Sequence, residues 1–394
     1  MTVALTTPTG ARLHLRARVT DVAEALTFAS IASPRHAAMP FLKAVLVTGH
    51  PDAAELTGFD YERATSAHID GSGVGHAAVD RPRLHNLLRS LDSTAEVRLD
   101  ADDARLTVRC GNVVATLPLA ESDFPAIPAN DDIPVAALGE QPLAALRRVA
   151  IGAGTDDTLP LLTAIEFSVD GGELVAATTD RYRLAVYRTG IHADLSEPML
   201  VPAKPLDDVL KVTTARKHVD RGAPATLGQV EQDDVRWATL SSLGYRTTLR
   251  TIDGEFPKWR TLLPTEFAAR ARVNTRSLRD AITKLKVAVD AGGTSRHTGR
   301  SQPTRPMILD LADGDCRASA GSEQDCQVAV PLDIAYEGEP MSVAFTPAYL
   351  LDGTAVLNSE EFDLNLVGPA KPALLTSPTD PAMSYLLMTV RLAG

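Results

Sequence analysis

The chain has 394 residues, of which 44% are hydrophobic and 23% charged, a balance that supports folded cores and leaves room for two to four domains. Its net charge of −11 excludes a protein that is basic throughout for nucleic acid, so the placement of the cations has to decide that question. Cys110, Cys316 and Cys326 fit neither a disulfide framework nor a zinc spacing, and Cys316 and Cys326 flank a turn as two reduced strand cysteines. No apolar run approaches the ~20 residues of a membrane span, and Met1–Arg16 lacks the apolar stretch of a signal peptide. The chain reads as cytoplasmic.

The first element is a helical pattern over Asp21–Ser33. A Pro-initiated apolar strand follows over Met39–Val47, then the strand-like segment from Thr57 to Ile69. The run Gly71–Gly75 precedes a strand rather than opening a helix, so it reads as a turn and not as a phosphate cradle. Asp80-Arg81-Pro82 opens a second helix with Pro82 near its first position, and Leu84, Leu87, Leu88 and Leu91 form its apolar stripe.

The pattern then repeats. Leu143–Gly154 is helical, Pro160 opens an apolar segment, and Asp180 stands before a strand. Pro40 to Pro160 and Asp60 to Asp180 are both offsets of 120 residues. Two landmarks at one offset mark an internal repeat. Val201-Pro202-Ala203-Lys204 opens the counterpart of the second helix, and Phe124-Pro125 and Phe256-Pro257 close the two units alike. A third unit begins with a stripe of Leu278, Ile282, Leu285 and Val289, contains a long loop over Ala291–Arg305, and has its own Pro-opened helix near Pro347. It ends on a strand over Tyr385–Leu392. Three units of helix, strands, helix, strands, at 1–132, 133–266 and 267–394, make an α+β protein.

Cations gather on the presumptive outer helix faces: Arg83 and Arg89, then Arg147, Arg148, Lys204 and Lys211, then Arg279, Lys284 and Lys286, with Arg35 before the first apolar strand. Acids gather in turns, including Asp100, Asp102, Asp156, Asp157, Asp233, Asp234, Asp313 and Asp315. Basic helices within an acidic shell suit sequence-independent contact with phosphates. No phosphate loop, nucleophile elbow, H-E-x-x-H or C-x-x-C is present, so a non-enzyme without cofactor is expected. A metal nuclease built on the acidic turns is the competing class.

The segment Thr179-Asp180-Arg181-Tyr182-Arg183-Leu184-Ala185-Val186 is similar to the T-D-x-x-R-L-A-V strand of bacterial DNA sliding clamps, the β subunits of DNA polymerase III. So are Val201–Lys204, Gly254–Pro257 through Leu263-Pro264, Phe345–Asp352 and Tyr385–Leu392, with Met39–Leu42 and Gly58–Glu62 in the first unit. The resemblance implies three clamp domains per chain and a homodimer closed head to tail into a six-domain ring around duplex DNA. It implies partners, namely polymerase subunits, the clamp loader and repair proteins, that dock through short linear motifs. By motif, their pocket carries over to Leu162, Thr179, Arg181, Tyr182, Arg183, Leu184, Pro257, Thr261, Leu262, Thr346, Tyr349, Pro372, Met388, Thr389, Val390, Arg391 and Leu392. The ring contact carries over to Val113, Ala115 and Leu117 meeting Val287 and Ala288.

The chain departs from the family pattern at Thr346 (commonly Asn), Thr389 (usually Pro), Ala164 (often Gly) and the basic Ala291–Arg305 loop. These departures open two further readings. One is a specialised second clamp with an altered pocket, for example one tolerant of an inhibitor and so linked to antibiotic resistance. The other is a clamp-fold peptide hub that does not encircle DNA.

Overall fold

A computed structural model describes residues 12–33, 40–120, 124–128, 131–214, 224–242, 244–290, 306–321 and 326–391. Arg35, Leu392 and the Ala291–Arg305 loop lie outside the described residues. The fold is α+β, with antiparallel sheets and the helices α1 (Val19–Ala29), α2 (Arg81–Leu88), α3 (Glu140–Val149), α4 (Ala203–Thr214), α5 (Thr275–Asp290) and α6 (Pro347–Leu357).

Each α-helix starts for a local reason or packs for a regional one. Asp80 caps α2 by accepting the amide of Arg83 at 2.9 Å, and Pro82 sits where a missing N–H costs nothing. Helix α6 opens on Pro347 and ends at Asn358, whose φ of 49° closes the helix in the left-handed conformation. Pro40 and Pro160 do not start strands, as the sequence suggested. Each starts a single 3-10 turn, Pro40–Lys43 and Pro160–Thr163, and the strand begins only after it, at Ala44 and Ala164. The Gly71–Gly75 run is likewise not a turn but largely the opening of the strand Ser72–Asp80.

The chain packs as two compact units. The first joins Met1–Leu143 with Lys204–Thr251. Its 12-stranded sheet runs Val113–Pro118, Arg105–Cys110, Glu96–Ala101, Arg12–Arg18, Ser72–Asp80, Ala44–Gly49, Ala53–Phe59, Arg63–Asp70, Tyr245–Arg250, Val235–Ser242, Ala225–Gln232 and Ile133–Leu138. Leu13 and Leu15 of one strand, Val22, Leu26 and Phe28 of α1, Leu84 and Leu88 of α2 and Val209 of α4 meet in one core.

The second unit joins Ala144–Ala203 with Ile252–Gly394. Its larger sheet has nine strands, in the order Met199–Pro202, Ala164–Asp170, Glu173–Thr179, Arg183–His192, Met383–Leu387, Ala373–Thr376, Glu361–Leu366, Ala269–Asn274 and Ile334–Glu337. Its smaller sheet has four, Gln327–Leu332, Cys316–Gly321, Met307–Leu311 and Met341–Phe345. In this hairpin Cys316 pairs with Leu332, not with Cys326, and all three cysteines are free.

The sequence repeat is visible as one turn made twice. Asp60 Oδ1 accepts the amides of Glu62 (3.1 Å) and Arg63 (2.7 Å), and Asp180 Oδ1 accepts those of Tyr182 and Arg183, both at 3.0 Å. Tyr61 and Arg181 take the same left-handed backbone, φ 71° and 79°. In both copies the arginine that follows returns its guanidinium to the aspartate. The short acidic side chain holds a conformation that a bulky residue would otherwise avoid. Among the described residues no helix is long and apolar enough to cross a membrane, and no group of His, Cys, Asp or Glu is placed to hold a metal.

Candidate functional site

The described residues of the expected pocket all belong to the second unit, and the sheet register explains why they come together. Leu184 pairs with Leu386, and Leu386 pairs with Leu374. This row of three leucines lies on one face and joins a core with Phe256, Trp259 and Val186. Two residues further on, each chain segment has just left its strand. There the Met388 amide donates to the Tyr182 carbonyl at 2.9 Å, and the register sets Pro372 beside Met388. Beyond the buried strand ends lie exposed Tyr182 (58% exposed) and Met388 (44%), with half-buried Pro372 beside Met388.

The other wall is the 3-10 turn Trp259–Leu262. Trp259 is buried, and its indole N–H donates to the Glu166 carboxylate at 2.6 Å. Arg260 lies over the indole ring at 4.4 Å and donates to Ser168 Oγ at 2.8 Å. This anchoring leaves Thr261 and Leu262 on the surface, Leu262 being 54% exposed. Pro257 is half-buried at the entry to the turn, and its carbonyl accepts the Trp259 amide. Leu161 packs against this core, while Leu162 is half-buried with its carbonyl accepting the amide of Gly154.

A polar cluster stands beside Tyr182. The Arg183 side chain is 10% exposed, bonds Asp180 at 2.8 Å, reaches Asp352, and lies over the Tyr349 ring at 4.6 Å. Tyr182 stacks on Tyr349 with ring centroids 6.0 Å apart. The Tyr385 hydroxyl donates to the Tyr349 carbonyl at 2.9 Å. Thr179 Oγ1 donates to the Arg183 carbonyl at 2.7 Å, which fixes the start of that strand, while Arg181 projects into solvent. Arg183 is therefore tied on several sides and presents little free donor capacity. Its work is to fix the two tyrosines.

Burial pushes the Tyr385 phenol well above its ordinary range, against the pull of nearby Arg183. The sign is that of a group whose folded-state pKa is raised: its contribution is complete below about pH 10, the unfolded tyrosine value, and is lost as pH rises through the higher folded value. An ultraviolet titration is expected to leave one of the seven tyrosines un-ionised until the protein unfolds at alkaline pH. Ionisation of all seven before unfolding would contradict this.

The positions that depart from the family pattern have simple surroundings. Thr346 precedes α6 without a side-chain capping bond. Thr389 lies between two tethered amides, Met388 to Tyr182 and Val390 to Ala344. Neither tether uses the amide of residue 389, the group that a proline there would lack. Thr389 and Val390 are half-buried and Arg391 is exposed.

The helix cations divide. Arg83, Arg89, Lys284 and Lys286 are exposed. Lys204 is exposed but bound to Asp208 at 2.7 Å, and Lys211 pairs with Asp207 at 2.6 Å. Arg279 is exposed and donates to Thr354 Oγ1. Arg147 is half-buried and has a partner of its own. Arg148 corrects the sequence reading: its guanidinium donates to the carbonyls of Val356 and Leu357 at the end of α6 and to Asp380 at 2.9 Å. A cation at a helix C-terminus holds unpaired carbonyls, so Arg148 works inside the fold.

Of the expected contact residues, Val113 is exposed and Ala115 and Leu117 are half-buried on the outermost strand of the 12-stranded sheet. Ala288 is fully buried in its own unit, so its methyl has no surface to offer a second chain; the side chain of Val287 is not among those described. Sequence reasoning missed Trp259, Glu166, Leu374 and Leu386 as parts of the site. The adjacency of Trp259 to the Phe256-Pro257 landmark was the available signal.

Comparison with known proteins identifies the family. A family model described as the DNA polymerase III beta subunit, central domain, matches residues 140–258, and one described as its C-terminal domain matches 260–391. The chain is 32% identical over 399 residues to the beta sliding clamp of Streptomyces coelicolor, covering 97% of this chain and 100% of that one. It is 26% identical over 369 residues to the beta sliding clamp homolog GriR of Streptomyces muensis, covering 90% and 92% of the two chains. A solved sliding clamp from Pseudomonas aeruginosa, bound to griselimycin, superposes with a TM-score of 0.83 at 19% identity, covering 97% of this chain and 100% of that one. At that identity the likeness speaks for the fold alone.

Proposed function

The chain belongs to the bacterial β sliding clamps, non-catalytic processivity factors of DNA polymerase III, and from that premise we propose how its parts divide the work. Clamps of this family form dimers and bind DNA. Three clamp domains at 1–132, 133–266 and 267–394 follow the sequence repeat, and the matched segments 140–258 and 260–391 support the last two. Two chains close head to tail, one contact using the open edge strand Val113–Pro118 with its exposed Val113 and Val114. Pairing two open edges also removes an aggregation hazard. Exposed Arg83, Arg89, Lys284 and Lys286 make weak phosphate contacts while ring topology supplies retention. The protein works in the cytoplasm. Its higher identity to the Streptomyces coelicolor clamp than to GriR favours the ordinary clamp over a specialised copy or a hub off DNA.

Polymerase subunits, the clamp loader and repair proteins dock by short linear motifs on exposed Tyr182, Met388 and Leu262, with half-buried Pro372 beside them. The observation that carries this reading is that exposed Tyr182, Met388 and Leu262 stand at the ends of elements anchored in one buried leucine and tryptophan core. Apolar anchors of a peptide fit such a shelf, and a methionine there adapts to varied partners.

The test is anisotropy with a fluorescent peptide of Gln-Leu-x-Leu-Phe type. Leu184→Ala is a poor probe, because Leu184 is 2% exposed and its truncation empties the core. Leu262→Ala and Met388→Ala remove exposed side chains and are each expected to weaken binding roughly tenfold, about 1.4 kcal/mol, at unchanged melting temperature. Equal binding by wild type and both variants would reject the pocket. Retention on closed circular DNA and loss on linearisation separately tests encirclement.

A further inference from the structure

The strand Arg12–Arg18 alternates strictly, with Leu13, Leu15 and Ala17 buried and Arg12, His14, Arg16 and Arg18 exposed on the opposite face. The neighbouring strands add to that face. Arg16 pairs with Arg98, and Arg98 with Arg109, so three arginines stand directly opposite one another across three strands. Arg105 is exposed on the same face of the third strand. Six arginines, Arg12, Arg16, Arg18, Arg98, Arg105 and Arg109, share it with the two acids Glu96 and Asp100, in a chain whose net charge is −11.

Like charges directly opposite across a sheet are destabilising. Only part of this repulsion is offset internally. Asp100 accepts from His14 at 2.9 Å and contacts Arg98 at 2.9 Å and Arg109 at 3.2 Å. Burial works to raise the Asp100 carboxyl, and the bonds from His14 and Arg98 more than offset it and hold it below the usual range. Arg12 and Arg16 have no ion-pair partner among the described residues. A local rule broken with only partial compensation among the described residues is the mark of a working surface.

We propose that this sheet face docks an extended acidic peptide segment of a partner protein. Three observations select that occupant. The face already grips one carboxylate, Asp100, with two arginines and the His14 ring, so a carboxylate fits its lattice. The planar fork of arginine matches carboxylates two bonds at a time, and no lysine lies on these strands. Alternate residues of one strand are about 6.8 Å apart, the spacing of alternate carboxylates on an extended peptide laid along it. The strands that build the face hold no Phe, Tyr or Trp, so the aromatic platforms that bind single-stranded nucleic acid are missing. Exposed Val74, opposite His14, flanks the cations and accepts an apolar residue among the acids, while Val114, opposite Arg109, belongs to the edge proposed for the ring contact.

The probe is a fluorescein-labelled peptide of alternating glutamate and serine, titrated into the full chain at low ionic strength. The expected result is salt-sensitive binding that Arg12→Ser/Arg16→Ser weakens at least tenfold, while the Gln-Leu-x-Leu-Phe peptide binds as before. Asp100→Asn removes the competing carboxylate and releases Arg98 and Arg109, so it is expected to tighten the acidic probe severalfold, which a purely structural role would not produce. Undiminished binding by the double variant overturns the proposal. So does the absence of any binding to the wild type. Oligothymidine bound more tightly than the peptide, and lost in the double variant, would overturn it in favour of nucleic acid.

Discussion

Arg183→Met is expected to lower the unfolding free energy by about 3 kcal/mol, the lower end of what breaking a buried ion pair costs. The Asp180 and Arg183 side chains are 12% and 10% exposed, so removing the guanidinium strands a carboxylate that has lost most of its water. Asp352 is more than a third exposed and recovers solvation, so it adds little. The guanidinium also lies over Tyr349, which stacks on Tyr182, so the variant loosens Tyr182 as well as the fold. Urea denaturation measures the loss, and the fold supplies its own control. Arg63 occupies the same place in the first repeat, but its bond to Asp60 is longer, 3.3 Å, and its side chain is more exposed. A loss at Arg183 no greater than at Arg63 would refute the role given to the Tyr349 cluster.

Trp259→Ala is the second large change, at about 3–5 kcal/mol for the emptied volume. Trp259 is the largest of the fully buried side chains and joins Phe256, Leu184 and Leu386 in one core. Its loss also deprives the buried Glu166 carboxylate of its 2.6 Å donor. Trp259→Phe separates the two terms. The ring remains, the N–H is gone, and the expected cost is about 1–3 kcal/mol. Because Trp259 anchors the turn that carries Leu262, both variants are expected to weaken the hydrophobic peptide as well. Full peptide affinity in a destabilised Trp259→Phe would show that the turn is held by something else.

Much of the architecture was legible because it rests on short-range chemistry. The Asp80 cap with Pro82, the Asp60 and Asp180 turns and the leucine stripe of α2 each depend on residues within one or two turns of chain. The segments at Pro40 and Pro160 misled for the same reason. A proline followed by apolar residues satisfies both a strand start and a helical turn, and only packing decides. The pocket was legible through its motif strands but not in its floor, since the Leu184–Leu386–Leu374 row depends on pairings between distant segments.

Long cations were the least readable. The i, i+4 pairing of Lys204 with Asp208 could be read from spacing, yet the partners of Arg148 lie about two hundred residues away in sequence and come to it only in the folded chain. The alternation of Arg12, His14, Arg16 and Arg18 is plain in the sequence. That it aligns with Arg98 and Arg109 is a property of register, which the sequence of one strand does not contain.

The second repeat is divided at the level of hydrogen bonds. Its strand Tyr245–Arg250 continues the sheet of the first repeat, and its strand Arg183–His192 continues the sheet of the third. The repeat read in the sequence therefore does not coincide with separable modules of the fold. Excising the segment 133–266 would bare two interior edges at once, at Arg63–Asp70 and at Met383–Leu387. Loss of that segment is thereby penalised by the hydrogen bonds of both sheets, whereas side chains and loops can change without breaking either ladder.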